Sequence, residues 1–313
     1  MKISLRIITL AISFSAMALE TDNYLAWKID LKDSVSHVNE YFKKEISESL
    51  RSISGQKSCE KIVMTLGKNF SSHLVHDNPV ENWLLLTLNS EEIFPDHLDY
   101  VGESIYQDPF RSYIPWFGLA PNIQLNGFYL GTDKLSHFAS TGMIYYRIFL
   151  KEKQRGRTDE EAERRAIDWG IRDEKSVHGF WSSGVFSYSD LEANYQGLKF
   201  YRQFCEGRQS FLEKNEQGVW IMRSFPDLRK YVSAHWDETF ELSYLLPENW
   251  TRVKPVLQNY CSLRTSARVQ ARRKMYQLNR TVSFSWKYLD ELKGTQLPDP
   301  NKEQSFSELC SGK

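Results

Sequence analysis

The chain is poor in long apolar runs. After its first eighteen residues no stretch approaches the ~20 apolar residues that a bilayer-spanning helix needs, and a mean hydropathy of −0.51 excludes a multi-spanning membrane protein. It also lacks a charge excess: 40 basic residues face 40 acidic ones, which argues against a dedicated nucleic-acid binder, whose footprint is basic. Cysteine is scarce, with four in 313 residues and no C-x-x-C pair, so zinc-ribbon and thioredoxin-type readings fail. There is no G-x-G-x-x-G, P-loop, G-x-S-x-G or H-E-x-x-H. Gly184 follows Ser182-Ser183 but lacks the strand-turn-helix setting of a nucleophile elbow. Nucleotide-cofactor and serine-hydrolase chemistry therefore find no support.

What is present begins with a leader. Lys2 and Arg6 precede an apolar run from Ile7 to Phe14, and Ala16-Met17-Ala18 closes it. This is the basic, apolar, A-x-A order of a secretory signal peptide. The pattern predicts cleavage after Ala18, with Ala16 as the alternative, and hence a periplasmic or secreted protein. No cysteine follows the site, which argues against a lipid anchor. Removing Lys2 and Arg6 leaves the mature chain close to neutral. All four cysteines survive processing, and an even count in an exported protein suggests disulfides. Cys205–Cys261 is the pairing favoured here, with Cys59 and Cys310 paired or free.

Periodicity predicts a mainly α chain with a minor β element. Residues 33–53 read as an amphipathic helix with Val35, Val38, Phe42, Ile46 and Ile53 on one stripe. Further helices are expected at 58–68 and 79–89. Residues 94–130, interrupted by Pro95, Pro109, Pro115 and Pro121, read as a long ordered, aromatic-rich loop. An apolar helix follows at 132–152, capped by Thr132 or Asp133. Thr158 and Glu161 form a capping box for a helix through about Glu174, and Ser189 with Glu192 a second one opening a helix through about Cys205. Gly218–Met222 looks like one strand of a hairpin, and Pro255 precedes a helix over 256–280. The expected division is a signal peptide (1–18), one mainly helical domain (19–293, with a central unit at 126–207) and a C-terminal tail (294–313) that is loose unless Cys310 ties it down.

Chemistry concentrates in two segments, Gly131-Thr-Asp-Lys-Leu-Ser-His-Phe138 and Ser187-Tyr-Ser-Asp-Leu-Glu-Ala-Asn-Tyr-Gln-Gly197. Asp133 and His137 are four apart, so on a helix they share a face, and Asp190 and Asn194 repeat that spacing. Two polar pairs on two apolar helices need partners if they are buried, and a shared site supplies them.

The order Asp133-Lys134-x-x-His137-Phe138, then Glu174, then Asp190-x-x-x-Asn194-x-x-Gly197 resembles the VanZ-like group of bacterial envelope proteins. It is similar, too, to small envelope lipoproteins of unknown function. The resemblance covers about 65 residues. VanZ-like proteins span the membrane several times, whereas this chain is hydrophilic, and residues 19–125 and 208–313 have no counterpart in them. Longer uncharacterised exported proteobacterial proteins with the same Ser-Tyr-x-Asp-Leu-Glu-Ala-Asn-Tyr-Gln-Gly run look closer. The resemblance implies an envelope setting, with glycopeptide tolerance known for some members, and no established reaction.

Two readings of the residues follow. In the first, Asp133, His137, Glu174 and Asp190 converge between three helices as a catalytic set. Asp133, His137 and Asp190 then ligate Zn²⁺ or another divalent ion, and Glu174 is the base for a metal-bound water. Lys134, Ser187 and Asn194 contact substrate, with Lys134 neutralising a phosphate and Ser182, Ser183 and Ser187 presenting a helix N-terminus to an anion. The result is a hydrolase acting on an envelope phosphoester, lipid or glycan. In the second, Asp133 caps its helix and bonds His137, Asp190 and Glu192 cap theirs, and Asn194 ties two helices together. The site then binds a ligand or fixes packing, and this reading is favoured because no complete catalytic signature appears.

Weaker candidates are His73-x-x-His76-Asp77, Asp96-His97-Leu-Asp99, His178 beside the Gly179 turn, and His235-Trp-Asp-Glu238, which could close over the site from the C-terminal part. Arg264, Arg268 and Arg272, joined by Arg273, Lys274 and Arg280, read as a solvated helix face. The sharper alternative is peripheral contact with anionic lipid or envelope polymer through this face and the aromatic loop at 110–130.

Overall fold

The computed structural model describes residues 20–53, 58–70, 78–95, 104–106, 119–176 and 178–311. His73, His76, Asp77, Asp96, His97 and Asp99, with most of the aromatic loop, lie outside them. Among the described residues no helix is long and apolar enough to cross a membrane.

The apolar stripe at 33–53 folds into α1 (Val35–Ser52), followed by α2 (Cys59–Phe70) and α3 (Pro79–Thr87), whose N-cap Asn78 accepts from Val80 N–H and Glu81 N–H. The segment expected as one helix over 132–152 is divided into α4 (Thr132–Ser136), a π-helical turn (His137–Thr141) and α5 (Gly142–Gln154). Neither Thr132 nor Asp133 caps it; Gly131 holds the N-cap position. Next, α6 (Asp159–Glu174) carries the expected capping box of Thr158 and Glu161. For α7 (Tyr188–Gln203) the cap is Ser187, whose Oγ accepts from Asp190 N–H. Glu192, assigned from sequence to a capping box with Ser189, instead bonds Gln196 and Ser283 inside the core.

The C-terminal third holds α8 (Pro247–Leu257), α9 (Cys261–Arg264), α10 (Ala267–Leu278), α11 (Phe284–Leu292), α12 (Pro300–Glu303) and α13 (Phe306–Cys310). The helix expected over 256–280 is thus broken near Ser266, whose side chain caps α10, while Pro255 sits inside α8.

Strands are short. β1 (Glu20–Thr21) pairs in parallel with β3 (Leu119–Ala120), and β2 (Ile93–Phe94), β4 (Asn122–Leu125) and β5 (Phe128–Gly131) form an antiparallel sheet. β6 (Val185–Phe186) pairs with β9 (Tyr244–Leu245), and β7 (Leu212–Lys214) with β8 (Trp220–Met222), the hairpin expected near Gly218. The β4–β5 hairpin replaces the end of the proposed loop. Its turn, Asn126-Gly127, has φ of 54° and 83°, values that asparagine and glycine tolerate best.

The core is mainly helical. α5 packs against α6 and α7, and the π turn lies on α7. Phe42, Phe138 and Phe200 meet at its centre. The basic face of α10 is solvated in part: Arg268 and Lys274 are exposed, whereas Arg272 is buried. Arg272 stacks on Tyr129 and donates to the carbonyls of Ala26 and Ile29, while Arg268 pairs with Asp30. They tie residues 26–30 to α10.

The disulfides are Cys59–Cys205 and Cys261–Cys310, not Cys205–Cys261. The start of α2 reaches the end of α7, whereas the C-terminal α13 folds back on α9. Peptide mapping without reduction is expected to recover these two pairs and no free thiol. Replacing Cys261 and Cys310 together by serine is expected to cost about 2 kcal/mol and to make residues 293–311 the first site of proteolysis.

Candidate functional site

Lys134 is the hub of the site. It lies in the first turn of α4, where Leu135 and the neighbouring core draw it inward, and its side chain is 0% exposed. Its Nζ is 2.7 Å from Asp133 Oδ2, 2.7 Å from Asp190 Oδ1 and 2.6 Å from Glu238 Oε1. Its contacts with Asp133 and Glu238 are hydrogen bonds, and that with Asp190 Oδ1 is an ion pair without hydrogen-bond geometry. Burial alone would lower the lysine's pKa, but Asp133, Asp190 and Glu238 more than reverse that and hold it well above the ordinary value.

The carboxylates of Asp133, Glu238 and Glu174 each accept from a neighbour. Thr21, from β1, donates to Asp133 Oδ1 at 2.6 Å. Ser187 Oγ donates to Glu238 Oε1 at 3.1 Å while accepting from Asp190 N–H. Ser187 N–H donates to Glu174 Oε2 at 3.2 Å. The α7 cap therefore joins the carboxylates of Glu238 and Glu174 to the backbone of Asp190 through one serine.

His137 and Asn194 close the site on the π-turn side. His137 Nδ1 is 3.1 Å from Asn194 Oδ1, and Nε2 is 3.4 Å from Asp190 Oδ2. Both ring nitrogens thus face side-chain oxygens, one on α7's asparagine and one on its aspartate. Asp133 bonds Thr21 and Lys134 rather than His137, so the two residues share a site without pairing in the way their spacing suggested. The π turn widens the helix where His137 meets α7, a common position for such bulges at functional sites. Gly142 and Gly197 let the helices touch backbone to backbone: a Cβ on Gly197 would stand 2.0 Å from Phe138 O.

Glu20, Asp133, Glu174, Asp190 and Glu238 form a buried carboxylate group that, among the described residues, surrounds the single ammonium of Lys134. Burial, then the charges of Glu238 and Asp190, drives the Glu20 carboxyl well above the usual range. Glu174 rises similarly through burial and then Asp190. Glu238 is pushed up to about 7, chiefly by burial and against the pull of Lys134. Asp190 is the exception: burial pushes it up, but His137 and then Lys134 bring it below the ordinary aspartate value. One group ionised at neutral pH beside another titrating near it is the pattern that acid–base chemistry uses. Next door, burial and then Asp133 lift Glu81 to about 7, although it accepts bonds from Thr132 and Ser136. A cavity of about 30 Å³, enough for about one water, lies against Glu238, Thr21, Asn23 and Ser243.

Among the described residues, Asp133, Asp190 and Glu238 bring oxygens within 4.8 Å of one another and could hold a metal ion. Glu238, rather than His137, completes that trio, and Lys134 Nζ lies between its members. Asp133, Lys134, His137, Glu174, Asp190, Ser187 and Asn194 are thus brought together. Ser183 joins through Glu20, and Ser182 only bonds Gly179 O. His178 pairs with Asp173 outside the site. His235 forms a separate centre, bonded to Glu241 and Thr281 O and stacked on Trp286; Glu238, three residues on, is the member of that run that enters the cluster. Glu20, Thr21 and Glu81 had no signal beyond being polar residues beside apolar segments.

A scan against protein-family models finds no match, and neither does a search of curated proteins or of solved structures.

Proposed function

We propose that this is an exported protein of the bacterial cell envelope, of the kind its central motifs resemble, and that its buried Asp/His/Glu/Asn site is a binding and structural centre. The observation that carries the reading is Lys134. Its ammonium stands within 2.7 Å of all three carboxylates that could otherwise ligate a cation, so the protein supplies its own cation at the place a metal would take. Export is supported by the leader pattern and by two disulfides, which persist in oxidising compartments. In that setting the ligand is a lipid or glycan of the envelope. The internal bonds of the α10 arginines leave less of that face for membrane contact than the sequence suggested.

The second reading, a metal-assisted hydrolase of an envelope phosphoester, lipid or glycan, is favoured by one observation: the acids outnumber the cations. Elemental analysis of the purified native chain beside His137→Ala and Asp190→Ala separates the two. The binding and structural reading expects no near-stoichiometric metal and a melting temperature lowered by about 5 °C or more in both variants. Near-stoichiometric Zn²⁺ or another divalent ion, lost in both variants while each stays folded, would replace it with the hydrolase.

A further inference from the structure

The groove between α2 and α5 carries charge that the fold does not use. It measures about 620 Å³, within the range of small-molecule sites, and none of its lining residues belongs to the Lys134 cluster. On α5, Arg147, Leu150, Lys151 and Gln154 line it, at spacings that place them on one helix face. Lys61 and Met64 line it from α2. Lys61, Arg147 and Lys151 are exposed, and none of the three has an ion pair among the described residues. Lys153, the fourth cation of the groove, is held by Asp159. Among the described residues Glu60 is the one acid in the lining. Local helix electrostatics do not account for this pattern. Cations suit the last turn of a helix, which covers Lys151 and Lys153, but not the first turn, where Lys61 stands. Like charges four apart, as at Arg147 and Lys151, oppose the helix.

We propose that this groove binds the phosphate group of a small soluble organic phosphoester. Arg147 offers the fork-shaped guanidinium that matches phosphate oxygens, and Lys151 and Lys61 add point charges from both walls. Met64 and Leu150 are partly buried and give the organic portion an apolar surface. The walls are held in place without a ligand, which lowers the cost of binding one. The Cys59–Cys205 disulfide pins the start of α2, and a Cβ on Gly67 would stand 2.0 Å from Met143 Cε, so α2 lies close on α5. A bilayer is the poorer occupant. Peripheral contact needs apolar side chains to insert, and none of the large ones exposed on the described surface, Leu86 and Trp181 among them, lines the groove. The groove is thus a second binding place, independent of the central site and of the export reading.

The test is calorimetric titration of the purified chain with phenyl phosphate at low ionic strength, where exposed charges are least screened. Saturable binding of one phenyl phosphate per chain is expected, and none of phenol, which lacks the phosphate. The double variant Arg147→Gln with Lys151→Gln is expected to bind about tenfold more weakly or worse, with its melting temperature unchanged. A control with the same change in net charge, Lys230→Gln with Lys287→Gln, is expected to keep its affinity within about twofold. Should the first double variant be destabilised, Lys61→Gln on the opposite wall decides by the same titration: weaker binding supports the groove, and unchanged binding overturns it. Absence of saturable binding, or equal weakening in both double variants, would overturn the proposal. So would capture of the chain by phosphatidylglycerol vesicles without binding of phenyl phosphate, which would make a membrane surface the occupant.

Discussion

Lys134→Met is expected to melt far below the native chain at about pH 8 and close to it near pH 5. Methionine fills nearly the same space, so packing changes little. What disappears is, among the described residues, the one lysine held by Glu20, Asp133, Glu174, Asp190 and Glu238. Removing one partner from a buried ionic group costs about 3–5 kcal/mol, because the remaining charges stay desolvated and repel. The pH dependence follows from the directions of titration. Glu20, Glu174 and Glu238 have folded pKa values above their unfolded ones, so their contribution to stability is present below the ordinary carboxylate value and is lost as pH rises through the folded one, about 7 for Glu238. Asp190 runs the other way: its contribution is present above the ordinary aspartate value and fades as pH falls below it. Above the ordinary carboxylate values the native cluster therefore weakens as pH rises toward about 7, and it is most favourable as pH falls back to those values. In the variant, protonation of the acids substitutes for the missing cation, and the deficit shrinks in that direction. Thermal melts of both chains across this range check it. A deficit independent of pH would mean that Lys134 matters for shape alone.

How far this site could be read from sequence depends on whether its parts are local. Asp133, His137, Asp190 and Asn194 announced themselves because polar residues four apart share a helix face, and on an apolar helix that face is costly to bury unless it meets polar partners. Their partners were legible only in part: the run ending in Glu238 was a candidate to close over the site, but its acid was not singled out. Glu238 looked like the end of a histidine-bearing run, and Glu20 like the first polar residue after a leader; only long-range topology carries both to Lys134. Spacing also misassigned the bonds, since the helix changes to a π turn at His137 and turns the ring toward Asn194. Elsewhere a signal was present but outweighed. Asn126-Gly127 is a hairpin turn, yet the prolines around it made the segment read as loop. The mainly α class was legible from the 3.6-residue stripes of α1 and α2. Arg272 misled because a run of like charge normally faces water, whereas a guanidinium group can be satisfied by buried carbonyls and an aromatic face, here those of Ala26, Ile29 and Tyr129. Cysteine pairing could not follow from spacing, because the tail's return to α9 is a tertiary event.

Gly197→Ala is the smallest change expected to dismantle the site without touching a charged group. The new Cβ would lie 2.0 Å from Phe138 O and 2.8 Å from Gly142 Cα. These are backbone atoms in a π turn and a facing helix, and neither can rotate aside as a flexible side chain would. The helices must separate by most of a carbon diameter, at a cost of about 3 kcal/mol or more. The crossing at Gly142 and Gly197 also sets the distance over which Asn194 meets His137, since Asn194 lies one turn before Gly197 on α7. Separation therefore lengthens the 3.1 Å contact between them and turns Asp190 away from Lys134. A melt drop of about 10 °C is expected, with a change in the His137 ring resonances even where the variant remains folded. Gly142→Ala is expected to do the same, because its Cβ would stand 2.6 Å from Gly197 Cα. The double variant is expected to cost much less than the two singles together, since one separation relieves both clashes. Full additivity would mean that the helices do not cross at these two glycines, and that the site owes its geometry to something else.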